Sequence, residues 1–159
     1  MKRIVYPGTF DPITLGHANI ARRAAALFDE VIVAVGNNPA KTPLFNQAER
    51  AEMVASEISD IKNISVDTFE GLLVDYMRDK GLHLVLRGLR TPTDLEYELQ
   101  MFATNKSVIP ELEVVFLAAA NEYAFYNSRL LREIATGGHA PDNIISAKVA
   151  SKLIAKTKN

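Results

Sequence analysis

Five short apolar runs recur along the chain, each followed by a stretch of helical periodicity, and this alternation limits the possible folds more than any other feature. The runs are Arg3–Tyr6, Glu30–Val35, Ile64–Thr68, Leu82–Leu86 and Glu113–Leu117. Val31-Ile32-Val33-Ala34-Val35 and Leu84-Val85-Leu86 are apolar without alternation, the pattern of strands covered on both faces. Helical patterns fill Gly16–Phe28, Asn46–Ile58, Gly71–Lys80, Asp94–Lys106 and Ser128–Ala135, and a last one spans about Ser146–Lys156. Asn46 with Glu49, and Thr93 with Glu96, have the spacing of a capping box. Strands alternating with helices predict an α/β fold. Here that means a doubly wound, Rossmann-like sheet of five parallel strands, with helices on both faces and a C-terminal helix. At 159 residues, the chain is expected to form a single domain over 1–159. Lys148, Lys152, Lys156 and Lys158 on the last helix read as a solvated face.

Composition narrows the function classes. The formal net charge is −1, which argues against a general polyanion binder, so no nucleic-acid partner is expected. No cysteine is present, which removes disulfides, thiolate zinc sites and thiol catalysis. No signal peptide is visible, and no apolar run approaches the roughly 18 residues needed to span a bilayer. A cytoplasmic protein without a membrane partner is the expectation.

Open parallel sheets bind ligands beyond the carboxyl ends of their strands, so the loops there should hold the chemistry. The first is Tyr6-Pro7-Gly8-Thr9-Phe10-Asp11-Pro12-Ile13-Thr14-Leu15-Gly16-His17. A strand, a polar turn and a helix N-terminus make an anion site, because free N–H groups and the helix dipole point into the turn. Thr9, Thr14 and His17 add side-chain donors, and Gly16 would let a ligand approach the backbone. Lys41 lies between Pro39 and Pro43, which could stiffen its loop and aim the ammonium inward. Arg87-Gly88-Leu89-Arg90 directly follows an apolar run, and two guanidiniums at that spacing can clamp phosphate oxygens. Asp94 and Glu96 suit the start of a helix, and Glu98 is free to hold an arginine or a ligand hydroxyl. No histidine lies near these carboxylates to complete a transition-metal set, so no protein-held metal is expected. Tyr123, Phe125 and Tyr126 read as packing under a loop, and Asn127-Ser128 open a helix that could cradle a second phosphate. His83 and His139 are assigned no role.

These residues resemble the nucleotidyltransferase superfamily with the T/HxGH signature, specifically its bacterial phosphopantetheine adenylyltransferase branch. The likeness runs from the Tyr6–Thr14 opening through Lys41, Arg87–Arg90, Asp94 with Glu96-Tyr97-Glu98, and Ser128 with Arg132-Glu133. The resemblance implies transfer of the adenylyl group of ATP to 4′-phosphopantetheine, giving dephospho-coenzyme A and pyrophosphate in coenzyme A biosynthesis. It implies Mg²⁺ as cofactor, a homohexamer, and coenzyme A as a possible feedback ligand. His17, Lys41 and Arg90 would be catalytic. Thr9, Phe10, His17, Gly88, Leu89, Arg90, Glu98, Tyr123, Ala124, Phe125, Tyr126, Asn127, Ser128 and Arg129 would bind ATP. Thr9, Lys41, Leu73, Arg87 and Asn105 would bind phosphopantetheine. The family often has three serines where this chain has Asn127, Ser128 and Arg129, so Arg129 puts a long cation at a position that is usually small.

Overall fold

A computed structural model describes residues 1–37 and 42–158. The elements follow in chain order as β1 (Arg3–Gly8), α1 (Leu15–Ala25), β2 (Glu30–Asn37), α2 (Gln47–Glu57), β3 (Ile64–Glu70), α3 (Leu73–Lys80), β4 (Leu84–Leu89), α4 (Pro92–Lys106), β5 (Glu113–Ala118), α5 (Ser128–Thr136) and α6 (Ala147–Thr157). A single 3₁₀ turn, Asn121–Tyr123, lies between β5 and α5. The expected five-stranded parallel sheet is present, in the order β3-β2-β1-β4-β5.

The unbroken apolar runs are explained by two cores, one on each face of the sheet. Ile4, Tyr6, Val31, Val33, Val35 and Leu86 point toward α1, α2, α5 and α6, where they meet Ile20, Met53, Val54, Leu131 and Leu153. Val5, Ile32, Ala34 and Val85 point the other way and meet Val74, Met77, Ile109 and Leu112. Successive residues of a strand face opposite sides, so a strand covered on both faces must be apolar at every position. Truncating a core side chain such as Met53 to Ala typically costs about 2–5 kcal/mol.

Chain order and strand order reverse at β1. The chain runs from β1 to β2 to β3 on one side, then returns to β4 on the other. β1 and β2 stay in register from Arg3↔Glu30 to Gly8↔Val35, whereas β1 and β4 pair at Val5↔Val85. Beyond that pair the carboxyl ends of β1 and β4 separate, and the crevice between them is the topological switch point.

Several boundaries differ from expectation. The Asn46 capping box is present, with Glu49 N donating to Asn46 Oδ1 at 2.9 Å and Asn46 N donating to Glu49 Oε2 at 2.8 Å. The α4 box is not Thr93–Glu96 but Thr91–Asp94, and α4 begins at Pro92. Proline lacks the N–H that the first turn leaves unpaired, and its fixed φ suits that position. β4 runs from Leu84 to Leu89 rather than over Leu82–Leu86, so Arg87 and Gly88 belong to the strand and not to a following loop. The lysines of α6 are not simply solvated. Lys152 pairs with Glu52 at 2.8 Å, Lys156 with Glu49 at 2.9 Å, and Lys148 donates to Ser56 at 2.9 Å, which ties α6 to α2.

Candidate active site

The switch point opens as a cleft of about 1270 Å³ lined by β1, the β1–α1 turn, the end of β4, α4 and the start of α5. The turn is braced from several elements. Asp11 is buried, and its carboxylate accepts from Leu44 N at 2.9 Å, Phe45 N at 3.0 Å and Arg132 Nη1 at 3.0 Å. The carbonyls of the turn are held as well: Arg50 Nη1 donates to Thr9 O at 2.6 Å, Arg132 Nη1 to Asp11 O at 2.6 Å and Ser128 Oγ to Pro12 O at 2.8 Å. Arg50 is fully buried and also donates to Phe45 O and Gly36 O, which ties α2 and β2 to the turn. This bracing holds Phe10 at φ +49°, a conformation costing a non-glycine residue about 1–3 kcal/mol. Gly8 provides the room, since a Cβ there would stand 2.8 Å from the Phe10 ring.

His17 sits three residues into α1, and its side chain completes an unusual cap. Thr14 N donates to His17 Nδ1 at 3.1 Å, Thr14 Oγ1 lies 2.9 Å from the same nitrogen, and His17 N donates to Thr14 Oγ1 at 3.2 Å. A backbone N–H can only donate, so Nδ1 is the acceptor and the ring proton resides on Nε2. Burial, with help from the nearby Arg90 guanidinium, pushes the imidazole down to about 4. The result is a neutral ring whose remaining donor, Nε2–H, is left for a ligand. Phe10 meets the ring edge-on at 5.2 Å between centroids.

Two guanidiniums stand opposite. Arg87 is gripped by both oxygens of Glu98 and donates to Pro7 O at 3.2 Å. Of the roles left open for Glu98, the structure shows it holding an arginine. Arg90 is held by Asp94 at 3.3 Å and donates to Tyr126 O at 3.2 Å. Each cation is braced by one carboxylate, which limits the side-chain freedom that phosphate binding would have to freeze.

The cleft gathers most of the residues singled out in the sequence: Thr9, Phe10, His17, Leu73, Arg87, Gly88, Arg90, Glu98, Asn105, Tyr123, Tyr126, Asn127, Ser128 and Arg129. Leu89, Ala124 and Phe125 are not in its lining. Phe125 is 83 % exposed and does not pack under a loop. Lys41 lies outside the described residues. Gly16 has a packing role that the sequence did not show, since a Cβ there would stand 3.0 Å from Tyr123 Cβ. Asn127 is occupied as a cap, accepting from Leu130 N at 2.9 Å. Arg129 lines the cleft, and among the described residues it makes no hydrogen bond or ion pair. Among the described residues no group of three or more histidines and carboxylates is placed to hold a metal.

Asp11 and Arg50 brace this site yet were given no role from sequence, and Arg132 entered only as part of the family likeness. Most of their partners are groups distant in the chain, which leave no local pattern. Tyr97, Met101 and Phe102 on α4 add an apolar wall beside Leu73 and Asn105. Their spacing on one helix was a visible signal.

A parallel sheet that opens at its switch point onto a capped helix N-terminus, a neutral histidine donor and two braced arginines is the architecture of a nucleotidyltransferase, and residues 5–134 match the cytidylyltransferase-like family. A Plasmodium falciparum nicotinic acid mononucleotide adenylyltransferase has the same fold, with a TM-score of 0.70 at 15 % identity over 99 % of this chain and 96 % of that one. Sequence likeness goes further. A phosphopantetheine adenylyltransferase of Thermosynechococcus vestitus is 52 % identical over 94 % of this chain and 89 % of its own length. One from Dictyoglomus turgidum is 45 % identical over 99 % of both chains. The chain belongs to the phosphopantetheine adenylyltransferase family.

Proposed function

We propose that the cleft transfers the adenylyl group of ATP to the phosphate of 4′-phosphopantetheine, releasing dephospho-coenzyme A and pyrophosphate. The observation that carries this reading is the locked Nε2–H of His17 in a cleft that also presents Arg87 and Arg90. The acceptor is a phosphate, largely ionised near neutrality, so no general base has to create the nucleophile. The barrier lies in bringing anions together and spreading charge on the α-phosphoryl oxygens. Positioning and electrostatic stabilisation meet that need. His17 donates to the reacting α-phosphoryl group, with Arg90 and Lys41 completing the charge.

The nucleotide lies along Thr9, Phe10, His17, the Gly88–Arg90 segment and Tyr123–Arg129, with Glu98 acting through the arginine it holds. The acceptor takes Thr9, Lys41 and Arg87 at its phosphate, and Leu73 and Asn105 along its pantetheine arm. The apolar wall of Tyr97, Met101 and Phe102 suits that arm. Arg129 reaches the triphosphate from the first turn of α5. A coenzyme A molecule, which joins both halves of the product, fits the same cleft and would act as a feedback ligand. Exposed Leu99, Leu130 and Ile134 leave apolar surface that assembly into a homohexamer would cover. No helix among the described residues is long and apolar enough to cross a membrane, and a cytoplasmic location follows from the proposed substrates.

Mg²⁺ would neutralise the triphosphate. With no carboxylate cage among the described residues, the donor set fits an ion held by phosphate oxygens and water, a usual arrangement for this cation. Chelator should therefore abolish turnover and leave the melting temperature of the ligand-free protein unchanged. A chelator-induced drop in melting temperature would reveal a protein-held metal.

Pyrophosphate release from ATP and Mg²⁺ should depend on 4′-phosphopantetheine and not on nicotinamide mononucleotide or phosphocholine. Release with either of those acceptors alone would overturn the reading. Arg87→Ala should raise KM for phosphopantetheine more than KM for ATP, by about tenfold for the loss of a charge-assisted contact. Equal effects on both, each measured with the other substrate saturating, would contradict the assignment of Arg87 to the acceptor.

A further inference from the structure

β1 carries one more polar group to the base of the cleft, the hydroxyl of Tyr6. The residue is 6 % exposed, and its ring meets Phe10 edge-on at 5.5 Å. Phe10 in turn meets His17, so the three rings form one row from the strand to the start of α1. The hydroxyl lies over Gly88 of β4, 3.8 Å from where a Cβ would stand, and the residue lines the cleft. Among the described residues nothing hydrogen-bonds to it. A tyrosine hydroxyl placed this deep ordinarily has a partner.

The surroundings indicate what that partner is. Burial pushes the phenol well above its ordinary range while Arg87 and Arg90 pull it the other way, so at neutral pH it is a protonated donor. It belongs with Ile4 and Leu86 to the sheet face covered by α1, the face of His17. The opposite face carries α3 and α4, with Leu73 and Asn105. A neutral donor that feels the charge of Arg87 and Arg90 and shares the cleft with His17 suits an anionic oxygen on the nucleotide side.

We propose that the Tyr6 hydroxyl donates a hydrogen bond to a phosphoryl oxygen of the bound nucleotide and so helps to select a phosphorylated ligand at the base of the cleft. This rests on the nucleotide reading of the cleft given above. Tyr6→Phe tests it, because the ring and its packing remain and only the hydroxyl goes. By calorimetry on the full chain, ATP should bind about tenfold more weakly to the variant, the scale of one hydrogen bond to a charged group. Adenosine, which lacks the phosphates, should bind both proteins alike. Without ligand, the variant should melt no lower than the parent, since no hydrogen bond is lost there. Unchanged ATP affinity, an equal loss for adenosine, or a lowered ligand-free melting temperature would each overturn the proposal. Failure of the parent protein to bind ATP would overturn the nucleotide reading instead.

Discussion

His17→Ala should slow turnover about 10²–10³-fold, the usual cost of removing one donor that meets charge developing in the transition state, with much less change in ATP affinity. The expectation follows from what Thr14 does to the ring. Two contacts to Nδ1 hold the imidazole in one tautomer and one orientation, so the Nε2–H is preorganised and no rearrangement accompanies the reaction. The same burial has a consequence for stability. The folded-state value of about 4 lies below the ordinary 6.5. Between these values the unfolded chain binds the proton and the folded chain does not, so acidification favours unfolding. Stability should fall as pH drops from about 6.5 toward 4, and His17→Ala should remove that part of the slope. Measuring kcat at saturation, ATP affinity by calorimetry, and urea unfolding at pH 7 and 5 checks both halves. Near-normal turnover by the folded variant would remove His17 from the chemistry.

Asp11→Ala should cost about 3 kcal/mol of folding stability, the scale of leaving buried donors without their acceptor. The carboxylate is 4 % exposed. Its loss orphans Leu44 N, Phe45 N and one bond of Arg132 together. These donors come from the segment before α2 and from α5, so removing their common acceptor loosens three parts of the chain around one turn. Phe10, held at φ +49° by that bracing, would be free to relax and to shift Thr9. Denaturant unfolding gives the stability change, and turnover of the folded fraction gives the effect on Thr9. A loss below about 1 kcal/mol would show that Arg50 and Ser128 hold the turn without Asp11.

The sheet was legible because a strand buried on both faces leaves a continuous apolar signature, as in Val31–Val35. The opening turn was legible because its prolines, glycines and hydroxyls are local. Boundaries slipped where a local signal competed with a tertiary one. Arg87 and Gly88 look like a loop after an apolar run, yet pairing with Phe116 and Leu117 of β5 extends β4 through them. Phe125 looks like packing and lies exposed. The lysines of α6 look solvated until α2 brings Glu49 and Glu52 beside them.

What the sequence by itself determined was the set of short-range choices: which segments extend or coil, the cap of α2 at Asn46, and that a polar turn after the first strand faces the ligand rim. What only the tertiary structure decided was which groups meet. The pairing of Arg87 with Glu98, the grip of Arg50 and Arg132 on the turn, and the hydroxyl of Tyr6 over Gly88 all join residues on different elements. The physical reason is range. Propensity and capping act within a few residues, whereas a buried polar group must find its partner wherever packing places one, and no spacing in the chain records that place.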